Sequence, residues 1–221
     1  MITTRMDPEK ARWVGTGIPL RLRGLTLGDV EALGGLSQTD LAQARDYVTS
    51  YRAQQSRTWR GLPVNPNAYG RGLLFAGQPG TGKTTLATAI MCELRRKWGI
   101  TIYATRYSDH IQRERTALRQ ETHTEPEQLS RLTYAIERVQ YSDVVLLDDV
   151  GHEHTTASKF AEDTLERLLR QRYDDGRPTF ITTNMTGDAW ADRYSKALRS
   201  FMDQCTRRRI FTGDSLRRAD Q

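Results

Sequence analysis

Over the first seventy residues apolar positions are scattered, and after Gly70 they alternate between short apolar runs and amphipathic stretches. The runs Gly72 to Ala76, Ile100 to Thr105, Asp143 to Asp148, Pro178 to Thr183 and Arg209 to Thr212 predict strands. Between them, Lys83 to Trp98, Ser108 to Gln120, Pro126 to Val139 and Ala157 to Tyr173 predict helices. In the last, Phe160, Leu165, Leu168, Leu169 and Arg172 keep a spacing near three to four. Strands alternating with helices predict an α/β fold with a parallel sheet covered on both faces. Upstream, Gly17 to Arg21 reads as extended because Pro19 and glycine oppose a helix. Ser37 to Gln55 reads as one helix, with Leu41, Ala44, Val48 and Tyr51 on a single face, and Leu62 to Tyr69 as a loop. The expected organisation is an N-terminal segment with one helix over 1–70 and a core over 71–221, without internal repeats.

Composition narrows the class. A chain of 221 residues buries a full core without a disulfide or metal staple. The longest run of leucine and β-branched residues is Val144 to Leu147, too short to span a membrane, and the N-terminus has no apolar run of signal-peptide length. Cys92 and Cys205 form no framework, so a soluble protein of the reducing cytoplasm is expected, with no membrane partner. The net charge of +6 favours a polyanionic partner. Twenty-eight of the 33 basic residues are arginine, which suits phosphate and equally suits a GC-rich genome. From Arg193 to Gln221 there are eight basic and three acidic residues, so the excess collects at the C-terminal end.

The sharpest signal is Gly77-Gln78-Pro79-Gly80-Thr81-Gly82-Lys83-Thr84, which fits G-x-x-x-x-G-K-[ST] between a predicted strand and a predicted helix. Glycines let the backbone curl so that successive N–H groups face phosphate oxygens, and the helix N-terminus adds its positive end. ATP is the expected ligand. Lys83 reaches its β- and γ-phosphates, Thr84 binds Mg²⁺, and Thr85 completes the cradle in the first helical turn.

A second signal is the apolar run Val144 to Leu147 ending in Asp148-Asp149. At the carboxyl end of a parallel strand, Asp148 is placed to hold the Mg²⁺ hydration shell. Asp149 is placed to orient or deprotonate an attacking water, which favours hydrolysis over storage. Pro178 to Asn184 is a third apolar run with a polar end, where Asn184 reads either as a γ-phosphate contact or as a turn former. His152-Glu153-His154 lacks further ligands at metal spacing and reads chiefly as a polar loop. Arg106 with Tyr103 and Tyr107 reads equally as a stacking site for single-stranded DNA and as a solvated edge. Trp13, Trp59, Trp98 and Trp190 read as packing residues.

Taken together these residues resemble the AAA+ ATPases, and within them the DnaC/IstB-like group of helicase loaders and transposition helpers. The resemblance runs from about Gly17 to Arg218 and is carried by Leu146 to Gly151, Arg172-Tyr173, Gly176 to Thr179, Ile181 to Asn184 and Gly213 to Arg217. It implies a P-loop NTPase sheet of order 5-1-4-3-2, with Asn184 as sensor 1 and Arg217 as sensor 2. It also implies an arginine acting on a neighbouring subunit's nucleotide, hence an ATP-dependent homo-oligomer. That position falls near Phe201, with Arg199 the nearest arginine and Arg193 the next. The implied activity is ATP hydrolysis gating the delivery of a replicative helicase hexamer to single-stranded DNA. The alternative within the group is a transposition helper acting on duplex DNA with a transposase. A small-molecule kinase is a third reading, disfavoured because paired Asp148 and Asp149 suit water as acceptor.

Overall fold

The computed structural model describes residues 11–119, 126–153, 158–185 and 187–211. Five parallel strands form one sheet: β1 (Gly72–Gly77), β2 (Ile102–Arg106), β3 (Val144–Asp148), β4 (Thr179–Thr183) and β5 (Thr206–Phe211). Their order is β2-β3-β4-β1-β5, the expected 5-1-4-3-2 read from the other edge. β4 therefore lies between β1 and β3, and the ends of these three strands meet.

Alternation along each strand divides the core into two layers. Leu73, Phe75, Ile102, Val144, Leu146 and Phe180 face one side, while Leu74, Val145, Leu147 and Ile181 face the other. The first layer is closed by α1 (Leu27–Leu33), α2 (Gln38–Gln54) and α3 (Lys83–Trp98). The second is closed by α4 (Tyr107–Arg119), α5 (Pro126–Tyr141), α6 (Ser158–Asp174), α7 (Gly187–Arg193) and α8 (Lys196–Cys205). With both faces covered, the inner strands β1 and β4 are buried along their whole length.

The N-terminal segment differs from the expected single helix. A second helix, α1, precedes α2, started by a capping box in which Thr26 and Asp29 satisfy each other's backbone N–H groups. Trp13, Ile18, Leu27, Val30 and Leu41 then share one apolar cluster with β1 and α3. The Thr16 carbonyl accepts the Ala104 N–H at 2.8 Å, so the free edge of β2 is partly paired. Gly17 is required there, because a Cβ would collide with the Ala104 carbonyl.

Two helices that the periodicity reading passed over, α7 and α8, follow β4. β5 begins at Thr206, three residues before the expected start. Thr206 both ends α8, its hydroxyl donating to the Met202 carbonyl at 2.6 Å, and opens the strand, so no loop separates them. Tyr103 and Tyr107 are buried, with the Tyr107 hydroxyl donating to the Ala161 carbonyl. Neither ring can stack on a base, which removes that reading and leaves Arg106 exposed by itself. Trp13 and Trp190 are buried as expected, whereas Trp59 is 88% exposed.

Candidate nucleotide site

β1 ends at Gly77, and the chain turns through Gln78 to Gly82 before α3 begins at Lys83. Gly80 at φ 88° and Gly82 at φ 86° lie in the left-handed region, which only glycine adopts without strain and which turns backbone N–H groups into one concavity. Gly77 is held against β5, where a Cβ would collide with the Phe211 carbonyl. The Lys83 ammonium donates to the carbonyls of Gly77 at 2.8 Å and Gln78 at 2.6 Å, and the Thr81 hydroxyl donates to Gln78 at 2.9 Å. The lysine is thus aimed back over the loop that precedes it.

The strand order brings Asp148 to Thr84. The Thr84 hydroxyl donates to Asp148 Oδ1 at 2.7 Å, across 64 residues of sequence. The same carboxylate oxygen accepts the Thr182 hydroxyl at 2.6 Å. Thr182 also accepts the Asp149 N–H at 2.8 Å, so one β4 side chain fixes both aspartates. Among the described residues, Asp149 is the one non-glycine with positive φ, at 61°. Aspartate tolerates that conformation better than most residues, and the two carboxylates take different partners. Asn184 then donates from Nδ2 to Asp149 Oδ1 at 2.8 Å, and His152 Nδ1 lies 3.3 Å from the same oxygen. Arg106, the β2 register partner of Asp148, places a cation at the same end of the sheet.

The turn after Asp149 is held from beneath. Val150 donates its N–H to the Thr182 carbonyl at 2.9 Å, and the Thr183 hydroxyl donates to the Val150 carbonyl at 2.7 Å. Glu153 is buried, accepting the Gly151 N–H at 3.1 Å and pairing with Arg193 at 2.8 Å. The Tyr194 hydroxyl donates to it at 3.4 Å, and burial first, then Glu153, pushes that hydroxyl's pKa up, so it stays a neutral donor. Of the predicted His152-Glu153-His154 group, His152 and Glu153 are engaged in this way, and His154 lies outside the described residues.

The structure therefore brings Lys83, Thr84, Asp148, Asp149 and Asn184 to one corner, while Arg217 lies outside the described residues. Among the described residues no hydrogen bond or ion pair joins Arg199 to this corner, and its buried Nε finds no hydrogen-bond partner among them. Phe201 is buried, with the Arg170 guanidinium over its ring at 4.4 Å and Tyr173 edge-on at 5.8 Å. Arg193, the second choice for a trans-acting arginine, is tied within its own chain to Glu153. Sequence reasoning gave Thr182 no role of its own and read Glu153 only as part of a polar loop. For Thr182 the available signal was a β-strand threonine two residues before Asn184; for Glu153 there was none beyond its polar loop.

The comparisons with known proteins concern the family and the fold. Residues 73–212 match the ATPase family associated with various cellular activities (AAA). A crystal structure of the DnaC helicase loader superposes with a TM-score of 0.64 at 23% identity, covering 89% of this chain and 100% of that one. DnaI gives a TM-score of 0.63 at 19% identity, covering 89% and 95%. A putative primosome component from Streptococcus pyogenes serotype M3 gives 0.59 at 20% identity, covering 90% and 92%. Likeness at such identities concerns the fold. No curated protein matches the chain in sequence. With the family matched over 73–212 and the sheet in its order, the chain belongs to the AAA family and is an ATPase.

Proposed function

We propose that this ATPase loads a replicative DNA helicase onto single-stranded DNA, with hydrolysis gating assembly and release. The observation that carries the loader reading is the fold likeness to the DnaC helicase loader over 89% of this chain and the whole of that one. The exposed Arg106 and the arginine-rich C-terminal end support a polyanionic DNA partner.

The residues present fit ATP with Mg²⁺. The positive-φ glycines shape a concavity of N–H donors, and Thr84 beside Asp148 offers the hard oxygen pair that Mg²⁺ takes from a protein. Held by Thr84 and Asp148, Mg²⁺ would supply positive charge against the charge that develops on the phosphate in the reaction. Lys83 supplies a positive charge against the β- and γ-phosphates. Thr84 and Asp148 hold the ion's hydration shell, with Thr182 fixing the carboxylate. Asp149 orients a water and takes its proton, and Asn184 holds the Asp149 carboxylate in place, so that it senses the γ-phosphate through the same group. Arg217 supplies a second phosphate contact. Among the candidates for an arginine reaching a neighbouring subunit, Arg199 stands ahead of Arg193, whose guanidinium Glu153 occupies.

The test is affinity capture from the native host with Asp149→Asn held in the ATP state. A replicative helicase in the eluate supports the loader reading. A transposase recovered with duplex DNA contradicts it and assigns the protein to the transposition helpers.

A further inference from the structure

Between Ser56 and Val64 the chain makes a small hydrogen-bonded hairpin. Arg57 and Pro63 form an antiparallel bridge. Thr58 donates its N–H to the Leu62 carbonyl at 2.7 Å, Val64 to Ser56 at 3.0 Å and Gly61 to Thr58 at 2.9 Å. Its base is anchored. The Arg57 guanidinium binds the Tyr69 hydroxyl and stacks 4.9 Å from that ring, and the Gly70 N–H donates to Gln55 Oε1 at 3.1 Å. Tyr69 is itself buried, its hydroxyl donating to the Asp175 carbonyl at 3.4 Å.

What it presents is apolar. Trp59 is 88% exposed, Leu62 63% and Val64 59%, and the Arg60 guanidinium lies over the indole at 4.6 Å. The hairpin carries only positive charge, and from Tyr47 to Cys92 the sequence contains no Asp or Glu. Three large apolar side chains exposed within six residues are more than the scattered single ones of an ordinary surface, and such a concentration marks an interaction site. Tryptophan and arginine set among aliphatic side chains are the residues that anchor protein interfaces. A single-stranded nucleic acid platform instead offers successive aromatic faces along a basic groove. Here there is one ring, one of its faces is taken by Arg60, and the other large exposed side chains of the hairpin are aliphatic.

The hairpin also lies away from the chemistry. Its anchors, Tyr69 and the Asp175 turn, precede β1 and β4, so it sits at the amino end of the sheet, whereas Gly77, Asp148 and Asn184 lie at the carboxyl end. Both ends can be occupied together.

We infer that the Ser56 to Val64 hairpin is a protein-docking element whose partner offers an apolar pocket rimmed by carboxylates, with Trp59 as the anchor. Resting on the loader reading, that partner is the replicative helicase. The experiment titrates the full chain against the purified helicase of the same organism by biolayer interferometry, alongside single-stranded DNA binding, ATPase activity without partners and melting temperature. Trp59→Ala is expected to weaken helicase binding at least tenfold and Arg60→Glu several-fold. DNA affinity, basal ATPase and melting should stay at wild-type values. Wild-type helicase affinity in a folded Trp59→Ala overturns the inference and leaves the loader reading standing. Loss of DNA affinity with helicase binding intact reassigns the hairpin to nucleic acid and overturns it as well. A wild-type chain that does not bind the helicase overturns the loader reading and, with it, the named partner.

Discussion

Glu153 and Arg193 form an ion pair at 2.8 Å in which the carboxylate side chain is 2% exposed and the guanidinium 14%. It joins the turn after Asp149 to the helix that follows Asn184, so the two segments carrying the site's carboxylate and amide are clamped together. Removing one partner of a buried pair leaves an uncompensated charge, at a cost of about 3–5 kcal/mol. Arg193→Ala is therefore expected to destabilise the fold by roughly 3 kcal/mol, and Glu153→Gln with Arg193→Ala by less than the two single changes added together. Urea unfolding of the four proteins checks this. A stable Arg193→Ala that loses only ATP turnover would instead make Arg193 a trans-acting arginine.

Thr182 carries two jobs through one hydroxyl, donating to Asp148 and accepting from the Asp149 N–H. Thr182→Val keeps the shape and removes both bonds. Phosphate release is expected to fall about tenfold, in line with charge-assisted bonds worth roughly 1.5–3 kcal/mol, while nucleotide affinity changes little. Turnover equal to wild type, measured beside a fluorescent-nucleotide titration, would remove Thr182 from the site.

Arg172 is fully buried and serves as a structural hub. It donates to the carbonyls of Val139, Gln140, Ser142 and Pro178 at 2.9 to 3.0 Å and to the Thr179 hydroxyl at 2.9 Å. Burial lowers its pKa to about 9, so it remains a cation at neutral pH. A lysine is a point charge without the planar fork and leaves several of these carbonyls unpaired. Arg172→Lys is expected to cost about 3 kcal/mol or more, and a change below about 1 kcal/mol in chemical denaturation would contradict the hub role.

His110 gives the fold an acid limit. It is buried beside Tyr107, its two ring nitrogens find no hydrogen-bond partner among the described residues, and Glu114 lies 3.6 Å away. Burial first, then Arg113 and Arg167, lowers its pKa to about 4. The unfolded chain therefore binds the extra proton between about pH 6.5 and 4 while the folded chain does not. Stability from this group is whole above pH 6.5 and is lost as the pH falls toward 4, by up to about 3 kcal/mol. Melting curves of His110→Leu are expected to be flatter than wild type across that window, and parallel curves would contradict the assignment.

The first four strands were legible because each is a short apolar run set between helical periods. The cradle was legible because its glycines and lysine are contiguous. α1 and α8 were open to reading as well, through the Thr26-Asp29 capping box and the spacing of Leu198, Phe201, Met202 and Cys205. β5 was misplaced because Arg207, Arg208 and Arg209 hide its alternation at a sheet edge. Thr182, Glu153 and Arg172 gain their roles from partners roughly thirty to forty residues away, which spacing alone does not encode. Trp59 was misread because composition favours burying an indole, whereas a hydrogen-bonded hairpin holds this one out in solvent.

The most direct measurement counts helicase hexamers deposited on a single-stranded circle, with ATP, in the presence of wild-type protein, Lys83→Ala or Asp149→Asn. The account predicts that wild type raises deposition and then leaves the DNA, that Lys83→Ala does neither, and that Asp149→Asn stays bound with the helicase undelivered. Deposition that is the same with wild type, with Lys83→Ala and with no added protein would contradict it.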